Sequence, residues 1–405
     1  MSSREYRLDL SVDRLPLTGR MLVSLLSRMT YGSLTLVDPQ GSAMELGDAS
    51  HGLHGVLRIH DWRAAGKILR QGDIGFAESL RLGWLDAPDL LSLFVIALRN
   101  EQVSAAVHGQ WWALLFKRLS HWVLRDNSRK GSRRNILSHY DLGNDFYQLW
   151  LDPSMTYSSA WFEGDESKDL TLAQDAKYDR ILDELGAQPG QTILEVGCGW
   201  GGFAERAAKR GIRVLGITLS DAQLEFAFKR MQRLGLDGLV ELRLQDYRDV
   251  RGQFDHVVSI EMFEAVGMRH WAGYFDMLSR RLKPGGRAVV QTIDIADPYF
   301  DAYANGTDFI QQYIFPGGML PSPSRFVECA RAAGLKQANV LSFGFDYAET
   351  LNRWSQAFEA NISAVRSQGF DDPFIRLWRM YLAYCEAGFR ERRTDVKQWT
   401  LSHAH

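Results

Sequence analysis

The chain of 405 residues has little cysteine: Cys198, Cys329 and Cys385, far apart and without a C-x-x-C spacing. No disulfide framework and no metal site is expected from such a set, and a reducing cytoplasm is its natural setting. Net charge is equally scarce. Lys and Arg total 47 against 49 Asp and Glu, and the balance of −2 provides no overall field for nucleic acid. Long hydrophobic runs are missing too. A membrane span needs roughly 18 apolar residues in a row, whereas the best stretch, Leu90 to Leu98, is shorter and reads as a buried helix. The charged first residues have no apolar signal core behind them, so a cytoplasmic protein is expected. Internal repeats and low-complexity tracts are also absent. What remains is an ordinary globular composition, 45% apolar and 24% charged. At roughly 100–200 residues per domain, it is enough for two or three domains.

From Met21 to about Ile59, short apolar runs alternate with Gly and Pro, which predicts strands and turns. Asp61 to Leu69 and Ala77 to Gly83 read as helices, with a break at Gly72-Asp-Ile-Gly75. Asp86 is the expected cap of a further helix. Residues 1–130 thus read as a smaller N-terminal α+β domain that binds lipid or a partner. A basic stretch closes it: Lys117, Arg118, Arg125, Arg129, Lys130, Arg133 and Arg134, beside Trp111, Trp112 and Trp122. It reads as a solvated linker or as a cationic aromatic face for anionic headgroups, where each basic residue could contribute about 1 kcal/mol. Within residues 131–405, helices and strands alternate from Asp175 onward. Strands are predicted at Thr192–Val196, Val214–Leu219, Val240–Leu244, Phe254–Ile260 and Arg287–Ile293. This is the pattern of a doubly wound, Rossmann-like α/β sheet.

The first of these strands runs into Glu195-Val-Gly-Cys-Gly-Trp-Gly-Gly and then a helix. Gly197 and Gly199 let backbone approach a ligand where a Cβ would clash, and the helix beyond offers free N–H groups. Dinucleotide enzymes share this theme, but two details favour S-adenosylmethionine. Glu195 suits a charged amino-acid moiety and would repel a pyrophosphate, and the spacing is Gly-x-Gly-x-Gly rather than Gly-x-Gly-x-x-Gly. After the second strand, Thr218, Ser220 and Gln223 could supply neutral hydrogen bonds to a ribose. After the third, Asp246 could accept from an adenine amino group while Tyr247 lies against the ring.

Further motifs carry a family likeness. Ser138-His-Tyr-Asp-Leu-Gly-Asn-Asp-Phe-Tyr, Met155-Thr-Tyr-Ser-Ser-Ala-Trp-Phe, Glu261-Met-Phe-Glu-Ala-Val-Gly and Tyr313-Ile-Phe-Pro-Gly-Gly-Met-Leu-Pro-Ser are similar in order and spacing to cyclopropane-fatty-acid synthases and mycolic-acid methyltransferases. The likeness runs from about Asn135 to Thr400. It implies a class I methyltransferase domain that binds S-adenosylmethionine. Tyr157 and Ser158 would lie at the cofactor's amino-acid end, and Gly197, Gly199, Thr218, Leu219, Ser220, Gln223, Asp246 and Tyr247 at its nucleoside. It also implies a bicarbonate ion beside the reacting carbons, held in the family by Cys, Glu, His, Ile and Tyr. Those positions read Ser159, Glu264, Gln291, Ile293 and Tyr347 here, so the anion site is altered and weakened. His139 falls in the segment that closes over the cofactor and reads as structural.

The chemistry sets its own demands. An alkene is a poor nucleophile, so the electrophile must be strong, and attack on a sulfonium methyl leaves a carbocation. Aromatic faces can shelter it, each by about 0.5–2 kcal/mol; candidates are Tyr157, Trp161, Phe162, Phe263, Tyr313, Phe315 and Tyr347. Glu264 is the expected base, and Glu261 a weaker second choice. The expected reaction is one-carbon transfer to an unsaturated phospholipid acyl chain, giving a cyclopropane fatty acid. A methyl or methylene branch is the runner-up. An N- or O-methyltransferase of small molecules and a lipid-binding protein without catalysis stand further off. The expected partner is a phospholipid surface, visited peripherally on the inner face of the membrane; a homodimer is compatible with the sequence, and nucleic acid is not expected.

Overall fold

The structure is a computed structural model that describes residues 6–50, 52–101 and 142–404. The basic stretch and His139 lie outside the described residues. The chain forms two units. In the first, β1 (Ser33–Val37) lies between β2 (Ala43–Gly47), which is antiparallel to it, and β3 (His54–Ile59), which is parallel. The short β4 (Leu85–Asp86) pairs antiparallel with β3. Every residue of β1 is buried, as befits a central strand. The helix Arg63–Arg81 contains the expected break: Gly72 has φ 59° and ψ −129°, outside any helical geometry. The expected cap at Asp86 is corrected. Asp86 is held in β4, and Asp89 caps the helix Leu90–Arg99 by accepting from the Ser92 N–H at 2.9 Å.

A single domain cut after residue 130 does not describe the chain, because it returns to the first unit with residues 306–309 and 362–391. The reason is apolar packing sealed by polar ties. Along the helix Asp372–Arg390, Tyr384 meets Phe94 edge-on at 5.6 Å and Phe309 at 6.1 Å. Arg376 donates to the Arg81 carbonyl at 2.9 Å, and Arg99 pairs with Glu391 at 2.8 Å.

The second unit is built on seven strands: β5 (Thr192–Val196), β6 (Arg213–Thr218), β7 (Val240–Leu244), β8 (Phe254–Ile260), β9 (Leu282–Ile295), β10 (Leu335–Ser342) and β11 (Thr394–His403). They lie in the order β10-β11-β9-β8-β5-β6-β7. Strands β5 to β9 run parallel, and β11 is antiparallel to both β9 and β10. This is the expected doubly wound, Rossmann-like sheet. Its order reverses between β5 and β8, and ligands bind at the carboxyl ends of strands beside such a reversal. Val257 and Val258 on β8 face opposite cores, as do Val290 and Val289 on β9, because successive strand residues point to opposite faces. Strands β10 and β11 were not expected. Most of β10 is exposed and both strands are rich in polar residues, so neither shows the continuous apolar run that marked the others.

One core centres on Phe326, wholly buried, with Phe275 at 5.0 Å, Phe263 at 5.6 Å and Trp399 stacked at 4.8 Å. Phe326→Ala should lower unfolding free energy by about 3–5 kcal/mol, read from the urea midpoint, because truncation leaves a cavity among rigid rings. A cost below about 1 kcal/mol would show that this core can collapse around the gap.

Candidate active site

At the end of β5 the chain turns through Gly197 (φ 86°) and Gly199 (φ 51°), conformations that favour glycine. At Gly197 a Cβ would come within 2.9 Å of the Met262 side chain, whereas at Gly199 nothing lies within 4 Å. Glu195 is buried beneath this turn, and its Oε2 has no hydrogen-bond partner among the described residues. Burial pushes its carboxyl well above the usual range, against the pull of Arg230. A buried carboxyl in need of a donor, below a glycine turn with open space above it, fits the cationic amino-acid end of S-adenosylmethionine.

The remaining cofactor positions are ordered partly by one another. Thr218 Oγ1 donates to Gln223 Oε1 at 3.0 Å and accepts from the Ser220 N–H at 3.2 Å, while Ser220 caps the helix Asp221–Leu234. Leu219 is half-buried between them. Asp246 accepts from Arg248 on both oxygens, at 2.8 and 2.6 Å, so the carboxylate expected to face adenine is turned onto its own 3-10 turn. Tyr247 meets Tyr274 edge-on at 5.7 Å, and burial pushes its phenol up to about 12. Tyr157 sits among Tyr147, Trp150 and Trp354, each at 5.4 Å, and is nearly parallel to Phe315 at 6.5 Å. Ser158 accepts at its hydroxyl from Lys177 at 2.6 Å. Of the aromatic candidates for sheltering a cation, Phe162 and Phe263 belong to apolar cores.

The anion positions converge on a residue that ranked second in the sequence. Glu261 follows β8 directly, with φ 48°. Its Oε1 accepts from the Ser159 N–H at 2.9 Å and from the Gln291 side-chain amide at 2.7 Å; its Oε2 accepts from the Tyr347 hydroxyl at 2.6 Å. Each donor is itself held. The helix Gly344–Ala360 carries Tyr347 and also fixes the Ser159 segment, since Thr350 accepts from the Ala160 N–H and Asp346 from the Phe162 N–H. Gln398 on β11 donates to Gln291 Oε1 at 2.9 Å and accepts from Arg180 at 2.6 Å. Ser159 points its hydroxyl at the Ala160 carbonyl, so its backbone and not its side chain serves the site. Lys177 is fully buried, with Ser158 and Gln174 as its hydrogen-bond partners. Burial pushes the Lys177 ammonium down and the Glu261 carboxyl up, and each charge partly holds the other in place.

Glu264, the expected base, lies alongside. Its Oε1 accepts from the Ile293 N–H at 2.6 Å, and its Oε2 is buried without a partner among the described residues. Burial first, and the Glu261 charge second, push it up to about 8. Near neutral pH this carboxyl therefore mostly carries a proton and is not the ready base that its position suggested. The signal for Glu261 was present in the sequence: an acid three residues before Glu264, together with the altered anion positions Ser159 and Gln291.

Residues 127–399 match the family described as mycolic acid cyclopropane synthetase. The chain belongs to that family. Over 346 residues, 83% of this chain and 80% of the relative, it is 40% identical to the tuberculostearic acid methyltransferase of Mycobacterium tuberculosis. It is 34% identical over 336 residues to the cyclopropane-fatty-acyl-phospholipid synthase of Escherichia coli, covering 83% of this chain and 84% of that one. The crystal structure of a mycolic acid cyclopropane synthase complexed with SAH and CTAB superimposes with a TM-score of 0.63 at 35% identity, over 66% of this chain and 97% of the other. As a member of the mycolic acid cyclopropane synthetase family, the protein is an S-adenosylmethionine-dependent enzyme, a methyltransferase or cyclopropane synthase. The family likeness led to a weakened bicarbonate site among Ser159, Glu264, Gln291, Ile293 and Tyr347, and the residues present do not fit the ion: the Ile293 N–H is engaged by Glu264. The donors of Ser159, Gln291 and Tyr347 are engaged by Glu261, and an ion placed beside them would compete with a carboxylate for the same hydrogen bonds.

Gly199→Val should lower affinity for S-adenosylhomocysteine at least about tenfold in calorimetry, because a branched side chain fills the open space and strains a left-handed backbone. Unchanged affinity in a folded variant would remove this loop from the cofactor site. Glu264 makes a second prediction. Its folded-state value of about 8 lies above the ordinary value near 4, so the native state keeps a proton that the unfolded chain releases, and stability falls as pH rises from about 4 to about 8. Glu264→Gln lacks this loss. Its stability relative to wild type should grow by on the order of a few kcal/mol between pH 5 and pH 8 in urea unfolding, and a gap independent of pH would place Glu264 in a more polar setting.

Proposed function

We propose that the protein methylates the double bond of an unsaturated acyl chain carried on a phospholipid, and that its product is a methylene-branched chain. When bound, S-adenosylmethionine supplies a sulfonium methyl group electrophilic enough for an alkene. The alkene carbon next to the new bond is left cationic. Tyr157, Phe315 and Trp354 offer ring faces near the Ser159 segment that favour a cation and exclude water. The fate of the cation then depends on how soon a proton is taken from the added methyl group. Immediate removal closes a three-membered ring. Slower removal lets a hydride move first to the secondary centre, leaving the more stable cation on the methyl-bearing carbon, and loss of the same methyl proton then gives an exocyclic double bond.

The observation that carries this reading is the state of the two carboxyls. Glu264 mostly holds a proton near neutrality, and the Glu261 carboxylate is tied by three donors, from Ser159, Gln291 and Tyr347, so it is less free than a dissolved ion to reach the added methyl group. Slow deprotonation follows. The 40%-identical relative named as a tuberculostearic acid methyltransferase supports it. A saturated methyl branch would need a further hydride and proton, and so a separate reduction. Ring closure is the second reading, supported by the 34%-identical cyclopropane-fatty-acyl-phospholipid synthase and by the carboxylate that still stands at the anion position. Methylation of nitrogen or oxygen in a small molecule has only the fold behind it: the structure of a coclaurine N-methyltransferase is 20% identical, with a TM-score of 0.59. A lipid substrate brings the protein to a phospholipid surface, and no helix among the described residues is long and apolar enough to cross a membrane.

Expression in a host that lacks such lipids decides between ring and branch. Extracted acyl chains should show the far-downfield proton resonances of an exomethylene group, made at the expense of the alkene. Upfield cyclopropane methylene signals as the only new resonances would overturn the methylene reading and establish the second.

A further inference from the structure

We infer that Glu261 is a built-in replacement for the bicarbonate ion: its own carboxylate, rather than a dissolved anion, faces the reacting carbons and takes the proton. The inference rests on the reading of one-carbon transfer to an alkene, and it holds for either product. Three of the positions that would surround the ion donate to this one side chain, at 2.9 Å from the Ser159 N–H, 2.7 Å from Gln291 and 2.6 Å from Tyr347. A carboxylate and a bicarbonate present the same planar pair of oxygens, so donors arranged for one suit the other.

The backbone and the charges point the same way. Glu261 has φ 48°, a left-handed conformation rare outside glycine, and such strain concentrates at sites where the structure imposes it. Here it turns the side chain back toward Ser159 and Tyr347, while the Glu261 N–H still bonds the Gln291 carbonyl at 2.8 Å. Gln291 therefore grips the residue twice, once by backbone and once by side chain. A neutral amide stands at position 291, and the cationic group that acts on Glu261 is Lys177, buried behind Ser158 with its ammonium pushed down to about 7 by burial. The groups that face the Glu261 carboxylate are thus Lys177, Tyr347, Gln291 and the carboxyl of Glu264, and only Lys177 among them brings a positive charge.

The step balances without any further reagent. A C–H bond of the transferred methyl group breaks, and its proton passes to a carboxylate oxygen of Glu261, which becomes a neutral carboxylic acid. The electron pair of that bond discharges the cation, as the closing bond of the three-membered ring or as the second bond of the exocyclic double bond. The proton then returns to water as product leaves.

The first arm of the test needs no variant. Purified wild-type protein is assayed on vesicles of unsaturated phospholipid in buffer stripped of carbon dioxide, with and without added bicarbonate. The rate should stay within twofold, whereas a fall that bicarbonate restores overturns the inference. Binding is read separately from the line width of 13C-labelled bicarbonate in the presence of S-adenosylhomocysteine. The wild type should leave the line unchanged. Glu261→Gly, which relieves the positive φ and empties the place of the carboxylate, should broaden it and make activity rise with bicarbonate. Equal broadening by both proteins, or none by a folded Glu261→Gly that binds S-adenosylhomocysteine, overturns the inference. Glu261→Gln should lower kcat by at least about 100-fold, within the range of a general base, with affinity for S-adenosylhomocysteine unchanged. Retention of more than half of kcat overturns it. Product resonances are scored independently. A ring product with no bicarbonate requirement would sink the methylene reading alone, and a methylene product that requires bicarbonate would sink this inference alone.

Discussion

A carboxylate placed away from water must find donors or a counter-charge, and much of this active site follows from that demand. Glu261 stands one residue beyond β8, where the sheet ends and its strand order reverses. Ser159, Gln291, Tyr347 and Lys177 come from a loop, a strand and two helices, and all of them turn toward it or toward its immediate neighbours. Behind them Gln398 and Arg180 fix Gln291, and Thr350 and Asp346 fix the segment that carries Ser159. Removing the carboxylate would leave several buried polar groups without partners, each costing about 1–3 kcal/mol. The network is therefore a structural feature of the enzyme as well as a chemical one.

The same electrostatics gives neighbouring carboxyls different tasks. Burial pushes both Glu261 and Glu264 up, but at Glu261 three donors and Lys177 oppose the push, whereas at Glu264 the charge of Glu261 adds to it. Glu195, on the adjacent strand β5, is raised by burial and has an oxygen without a hydrogen-bond partner among the described residues. Burial raises all three acids at this edge of the sheet, and they differ in how many donors and charges oppose it. For a reaction that passes through a carbocation, the useful combination is a carboxylate held in place by several donors, beside aromatic faces that keep water out.

Much of the fold was legible because its signals are local. The parallel strands β5 to β8 appear as short apolar runs near their observed bounds, and Gly72 does break a helix as its position suggested. Strands β10 and β11 escaped notice because exposed or polar strands carry no apolar run. The helix Asp372–Arg390 was assigned to the wrong unit for a related reason. Its amphipathic pattern shows that one face is buried but not against what, and Tyr384 meets Phe94 and Phe309 only in three dimensions. Asp86 failed as a cap because its pairing with β3 outweighed a local preference that Asp89 could satisfy equally well.

By itself, the sequence determined the class of protein and the cofactor loop, because a strand, a glycine turn and a helix are contiguous and their spacing is set by backbone sterics. It also marked Ser159 and Gln291 as departures from the family pattern. Only the tertiary structure decided what those departures mean. The donors to Glu261 lie at positions 159, 291 and 347, and no local periodicity links residues so far apart. How strongly Glu261 and Glu264 are each pushed toward the protonated form is likewise settled by which donors and which low-dielectric surroundings the fold brings to each, and residue identity alone carries neither quantity.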